Sequence, residues 1–255
     1  MTFDDHLAVI IESSDALLAD AAGAALTDPV PTCPGWTVAD LLRHHGGVCR
    51  WAAVIVGQGR TANLTDGELA AAMSAPAERE PLLEWYRNSI AGLLAALKED
   101  GPDSALVFLQ DAPAPRAFWA RRSAHETTMH RVDMLSATLG HVPLAGSTGI
   151  RAELALDGLD ELLMGFVPRP SSALRADEPI VMTVEPTDAD RSWTVRIDTG
   201  PPVGTTGAAD QPDATLTGTA CGLYLGLWNR GDEIAEHGDA PVLGLWREKV
   251  RVRWS

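Results

Sequence analysis

The sequence predicts an α+β chain of two domains, a four-helix bundle over residues 1–146 and a smaller α+β domain over residues 147–255. Three observations carry this. Apolar residues in the first half recur at helical spacing in four separate segments. Past Gly146 the texture changes, and a Pro/Ser stretch (Pro168, Pro170, Ser171, Ser172) is followed by alternating rather than helical periodicity. A chain of 255 residues is also long enough for both parts to bury a core of their own.

The first helix runs from Phe3 to about Ala24, with Leu7, Ile10, Ile11, Leu17, Leu18 and Ala21 at helical spacing and acids at its start, where the helix dipole prefers them. Pro29, Pro31, Pro34 and Gly35 then break the chain. Thr37 with Asp40 three residues on makes a capping box for a second helix, Val38 to about Val56, striped by Val38, Leu41, Leu42, Val48, Ala52 and Ile55. After a connection containing Gly and rich in Ala, Leu82, Leu83, Tyr86, Ile90, Leu93, Leu94 and Leu97 mark a third helix, stopped at Glu99-Asp100-Gly101. The fourth spans about Arg116 to Leu139, and Gly140 ends it.

In the second half a fifth helix is expected from Ile150 to about Gly165. Ile180, Met182 and Val184 share one face of a strand, as do Trp193, Val195 and Ile197 in the next. Thr215, Thr217 and Thr219 alternate in a third, followed by a short helix through Leu223, Leu227 and Trp228. The alternation of Lys249 to Trp254 predicts a last strand.

Composition narrows the function. Acidic residues outnumber basic ones 35 to 20, a net charge of -15 that repels phosphate backbones and anionic headgroups, so neither nucleic acid nor a membrane surface is an expected partner. Only three cysteines occur, Cys33, Cys49 and Cys221, without the spacing of a thiolate zinc site or a disulfide framework. The start, MTFDDHLAVI, places acids where a secretory signal needs cations, and no apolar run reaches the length of a membrane span. A cytoplasmic setting is expected.

The chemistry concentrates in the fourth helix. Residues four apart project from one helix face, so Glu126 and His130 can converge on one point, whereas His125 and His130 cannot. The segment His125-Glu126-Thr127-Thr128-Met129-His130 is therefore not the HExxH of zinc proteases, and Glu126 has to be a ligand itself. One carboxylate and one imidazole make half of a zinc site, and a third ligand from another helix leaves a position open for water or substrate. By type the third is His44 or His45, and helical register does not choose between them. The competing reading of Glu126 and His130 is a surface ion pair. Against it, both fall on a line with Trp119, Arg122 and Asp133, too polar for a core and too aromatic for an ordinary solvated face. Trp119 is thus assigned to the cleft, while Trp36, Trp51, Trp228 and Trp246 are assigned to cores. Cys49, one turn beyond His45, is placed as a small buried hydrophobe rather than a ligand.

Pro34-Gly35-Trp36-Thr37-Val38-Ala39-Asp40-Leu41-Leu42-Arg43-His44, Trp119-Ala120-Arg121-Arg122 and His125 through Asp133 resemble the mycothiol-dependent maleylpyruvate isomerase family, within the DinB-like four-helix superfamily. The likeness continues in Asp157-Gly158-Leu159-Asp160-Glu161, in Gly218-Thr219-Ala220, in Leu227-Trp228-Asn229-Arg230 and in Gly238-Asp239, so it spans nearly the whole chain. The resemblance implies that His44 joins Glu126 and His130 on a divalent metal, usually zinc, with water completing the sphere, and so selects His44 over His45. It implies a C-terminal domain similar to sterol-carrier-like folds, with Arg230 for an anionic group of the substrate; Trp119 and Arg122 are the further substrate-binding candidates. The implied cosubstrate is mycothiol, whose metal-held thiolate acts on an electrophilic small molecule by isomerisation or thiol transfer. The chain departs from the pattern at His45, Cys49 and Asn229, where an apolar residue, His and Gly are expected. Two other classes share these residues: a metal-containing protein that only binds a small ligand, and a hydrolase using metal-bound water.

Overall fold

The computed structural model describes residues 1–99, 101–102, 105–110 and 112–250. They divide into two compact units, Met1–Phe108 with Ala112–Val142, and Leu109–Asp111 with Pro143–Ser255.

The first unit is helical. α1 (Phe3–Gly23), α2 (Val38–Gly57), α4 (Arg79–Lys98) and α5 (Pro115–Leu139) are its long helices, and α1 lies along α5 while α2 packs on both α4 and α5. Three of the boundaries have a clear local cause. Thr37 accepts from the Asp40 N–H and Asp40 accepts from the Thr37 N–H, closing the capping box expected for α2. Pro115 opens α5 where its missing N–H costs nothing, and Gly140, at φ 74°, closes it in the left-handed region. At Gly46 of α2 a Cβ would lie 2.3 Å from the Trp85 ring, so only glycine lets α4 approach this closely beside the two histidines.

The Ala-rich connection holds one more helix than the apolar pattern predicts. α3 (Asp66–Met73) starts on a capping box of Thr65 and Glu68, with only Ala72 buried. A helix without an apolar stripe gives no periodic signal.

The second unit is α+β, as expected. A five-stranded mixed sheet runs in the order β3-β2-β1-β4-β5, with β1 (Ile180–Pro186) antiparallel to β2 (Trp193–Ile197) and parallel to β4 (Ala214–Gly218). Met182, Val184, Trp193, Val195 and Ile197 are fully buried on it; the alternation read from the sequence is clean in β2, whereas in the central β1 Thr183 is buried as well and Ile180 only half-buried. β3 (Val203–Thr206) and β5 (Ala235–Gly238) occupy the two edges. The helices are α6 (Ala152–Asp160), α7 (Ala220–Leu227) and α8 (Val242–Lys249).

Three expectations change here. The fifth predicted helix is α-helical only to Asp160 and continues as a π-helix over Glu161–Phe166. Thr219 is not a strand residue but the N-cap of α7, its hydroxyl accepting from the Gly222 N–H. Lys249 ends α8 rather than starting a strand, and the rest of that expected strand, from Arg251, lies outside the described residues. Among the described residues no helix is long and apolar enough to cross a membrane.

Candidate metal centre

α2 and α5 bring His44, Glu126 and His130 together, with one nitrogen or oxygen of each lying within 4.8 Å of the others. His130 Nε2 is 3.2 Å from Glu126 Oε1, and His44 Nε2 is 4.0 Å from the same oxygen. The helical offsets explain the convergence: Glu126 and His130 stand one turn apart on α5, and the packing of α2 on α5 supplies His44. All three side chains are mostly withdrawn from solvent, at 15%, 12% and 6% exposure.

The donor set suits a divalent ion. An ion with bonds of about 2.0–2.1 Å holds tetrahedral donors roughly 3.3 Å apart, so small side-chain adjustments would seat one among these three atoms. Orientation of the ligands also fits. His130 donates from Nδ1 to Asp133 Oδ2 at 2.9 Å, and since a carboxylate only accepts, Nε2 is left facing Glu126 and His44. Arg122 donates from Nη2 to Glu126 Oε2 at 2.9 Å and so leaves Oε1 toward the histidines.

Electrostatics follow from this crowding. Burial alone would raise the Glu126 carboxyl, but the hydrogen bond from His130 and the charges of Arg122 and the histidines outweigh it and hold the group well below the usual carboxylate range. Burial works against the His130 imidazolium, yet its bonds to Asp133 and Glu126 prevail and raise it to about 9. A protonated His130 donates from both ring nitrogens, Nδ1 to Asp133 at 2.9 Å and Nε2 to Glu126 Oε1 at 3.2 Å.

His45 points elsewhere. It is fully buried, and its Nδ1 lies 2.7 Å from the Tyr86 hydroxyl. Thr127 gives its hydroxyl hydrogen to the Ser123 carbonyl at 2.7 Å, so His45 Nε2 is the donor to Thr127 Oγ1 at 3.3 Å, and Nδ1 accepts from Tyr86. Burial first, then the nearby His130 charge, pushes His45 far down, so it stays neutral. Cys49 is buried one turn along, 3.6 Å from His45 Nε2, with its thiol pushed up by burial. A buried thiol held protonated is neither a reactive nucleophile nor a ready ligand.

Two aromatic assignments are corrected. Trp119 is 1% exposed in a cluster with Trp51, Phe108 and Phe118, and its indole N–H is spent on the Leu106 carbonyl at 2.8 Å. Seven residues before Glu126, it shares that residue's helix face but sits two turns along, where it meets packing partners instead of a cleft. Trp36, assigned to a core, stands at the site instead: its ring is 4.9 Å from that of His44 and stacks at 17° with that of His130, 6.3 Å away. The cause is local. Gly35 at φ 90° turns the chain just before the α2 cap, and the Pro29–Thr37 bridge holds the loop against the helix start. Arg122 is 4% exposed and engaged with Glu126, which makes it a partner of the carboxylate more than an open substrate group. In the second unit Arg230 follows α7, donating to the Trp228 carbonyl at 2.9 Å. Asn229 before it takes φ 59°, which accounts for the glycine expected there, since Asn is among the few other residues that tolerate that region.

Comparison with known proteins agrees with these folds. The family model described as mycothiol maleylpyruvate isomerase N-terminal domain matches residues 7–135, half of the chain, and the one described as MDMPI C-terminal domain matches residues 153–245. The chain belongs to the mycothiol maleylpyruvate isomerase family. Among solved structures it is similar to a mycothiol-dependent maleylpyruvate isomerase, at 17% identity over 99% of this chain and 98% of that one, with a TM-score of 0.63. A histidine-to-alanine mutant of a mycothiol-dependent maleylpyruvate isomerase gives a TM-score of 0.65 at the same identity and coverage. At that identity the likeness establishes a shared fold. No curated protein sequence matches the chain.

Proposed function

We propose that this member of the maleylpyruvate isomerase family is an enzyme that uses a low-molecular-weight thiol, mycothiol, on an electrophilic small molecule, by double-bond isomerisation or thiol transfer, with one divalent ion, zinc, on His44, Glu126 and His130. The single observation that carries the reading is the convergence of those three donor atoms within 4.8 Å on two packed helices of a chain that belongs to the mycothiol maleylpyruvate isomerase family. Such an ion supplies the positive charge that holds a thiol as thiolate at neutral pH.

The chain's own residues divide the remaining work. Three protein donors leave one position open, as catalytic rather than structural zinc sites do. Trp36 forms an apolar wall beside His44 and His130, limiting water around a sulfur ligand. Cys49, buried and protonated, stays out of the reaction, so the cosubstrate thiol carries the covalent step. Arg230 is assigned to an anionic group of the substrate, its side chain tethered at the Trp228 carbonyl.

The test is to assay maleylpyruvate and a panel of reactive halides and epoxides with and without mycothiol, for the wild type and Glu126→Gln. Turnover that requires both the thiol and Glu126 supports the reading. Turnover independent of thiol overturns it in favour of hydrolysis by bound water, and ligand binding with no turnover overturns it in favour of a carrier.

A further inference from the structure

The stripe Arg122, Glu126, His130, Asp133 climbs α5 at offsets of four, four and three residues, so all four side chains share one face. The middle two join His44 in the candidate metal cluster. The outer two are among the most deeply buried charged residues of the first unit, Arg122 at 4% and Asp133 at 0% exposure, and each is bonded to the inner residue next to it. Burying a charge is expensive unless it is paired, so both outer residues need a reason to be inside.

We propose that Arg122 and Asp133 are positioning residues of the metal site, each locking one ligand so that it offers a single atom. This rests on the metal reading above. A carboxylate can bind an ion through one oxygen or both. With Glu126 Oε2 accepting from Arg122 at 2.9 Å, only Oε1, 3.2 Å from His130 Nε2, faces the histidines, so the carboxylate binds through one oxygen and the remaining position stays open for the cosubstrate. An imidazole likewise binds through either nitrogen. Asp133 takes the Nδ1 hydrogen of His130 and thereby fixes both the tautomer and the ring angle. Asp133 is tied down in turn: Ser136 donates to its carbonyl at 2.7 Å, and the Thr32 hydroxyl sits 2.9 Å from Ser136 Oγ, linking the loop that carries Trp36 to the same turn of α5. Arg122, assigned from sequence to substrate, thus acts through Glu126 instead.

The experiment loads the purified full chain with Co²⁺, whose visible absorption reports coordination number, and measures its affinity by chelator competition for the wild type, Arg122→Met, Arg122→Lys, Asp133→Ala and Asp133→Asn. Thermal melts identify the folded variants. Arg122→Met is expected to free Oε2, raise the coordination number and weaken the absorption band, while Arg122→Lys, which keeps a donor and the charge, stays closer to wild type. Asp133→Ala is expected to weaken binding about 10- to 100-fold, with Asp133→Asn recovering part of the loss because it retains an acceptor. A folded Arg122→Met with the wild-type spectrum, or Asp133 variants that bind as tightly as wild type, overturns the proposal. Where Arg122→Met does not fold, Arg122→Gln, which lacks the charge, replaces it, and where Asp133→Ala does not fold, Asp133→Asn decides by the same criterion. Failure of the metal reading is distinguishable, because then wild type and His130→Ala bind Co²⁺ equally.

Discussion

Metal uptake by this protein should expel a proton, and the pH dependence of affinity should reveal it. In the metal-free site the His130 imidazolium, raised to about 9, holds a hydrogen where an ion would bond. Ligation requires neutral imidazole, so an ion entering at pH 7 displaces about one proton from His130. Two pH units below that pKa the competition weakens apparent affinity about 100-fold, or about 2.7 kcal/mol, and the penalty fades as pH approaches 9. Glu126 adds nothing over this range, because its carboxyl is held low and is already ionised. The assay is calorimetric titration of Zn²⁺ at pH 7 in buffers of different ionisation enthalpy, whose slope counts protons, repeated at pH 8 and 9. A slope near one that falls toward zero at high pH is expected. A slope near zero at pH 7 would refute the reasoning, since it would mean that His130 is already neutral and the Asp133 and Glu126 bonds do not raise it. The sign of linkage to folding is the converse. The raised His130 pKa stabilises the metal-free fold fully below 6.5 and progressively less as pH rises through about 9, whereas the lowered Glu126 pKa gives stability present above 4.5 and lost as pH falls through its folded value.

His44→Ala and His130→Ala should each remove most of the bound metal in elemental analysis, since either takes away one of three protein donors. His45→Ala should leave metal content intact while lowering stability by about 1–3 kcal/mol in denaturant titration, because it strands the buried Tyr86 hydroxyl; metal loss there but not in His44→Ala reverses the assignment. Trp119→Ala should cost about 3–5 kcal/mol and leave metal stoichiometry unchanged, whereas a Trp119 that served the cleft would show its effect in KM before stability. Thr37→Ala should cost about 1 kcal/mol by removing the cap of α2, read as a shift in the urea midpoint.

The sequence made the long elements legible because each buries a regular face. Leu41, Leu42, Ala52 and Ile55 of α2, and Met182 and Val184 of β1, recur at their element's own period, and burial enforces that period. What escaped is what lacks a buried face. β5 is exposed along its whole length, β3 is a short edge strand whose Gly204 has no room for a side chain beside the Leu163 carbonyl, and α3 buries one alanine. The cap of α3 was nonetheless readable, since Thr65 with Glu68 is the same signal that identifies α2. At the site, periodicity put Glu126 and His130 on one face but could not say which end of the stripe met a core. Trp119 and Asp133 share that stripe, yet one packs among aromatics and the other bonds to His130, a difference fixed by neighbouring helices and not by spacing. Trp36 was hidden for another reason: a turn through Gly35, not a periodic pattern, carries its ring to His44.

The charges gathered on α5 bear on what the proposed ion would accept as its further ligand. Arg122 is positive, and Glu126 and Asp133 are negative, while His44 and His130 are neutral whenever they ligate, so these side chains together carry one negative charge. A divalent ion reverses that to one positive charge in a setting mostly withdrawn from solvent, where uncompensated charge is costly. A neutral water in the open position leaves the imbalance; a thiolate or hydroxide cancels it. Between those two anions the Trp36 ring favours the larger and less hydrated sulfur, because an apolar wall costs a hydroxide more of its hydration than it costs a thiolate. Without Arg122 the same ligands would be neutral overall with the ion bound, and the pull on an anionic cosubstrate would weaken. On the proposed metal reading, the guanidinium that would hold Glu126 to one oxygen would therefore also set the charge that draws in a thiolate.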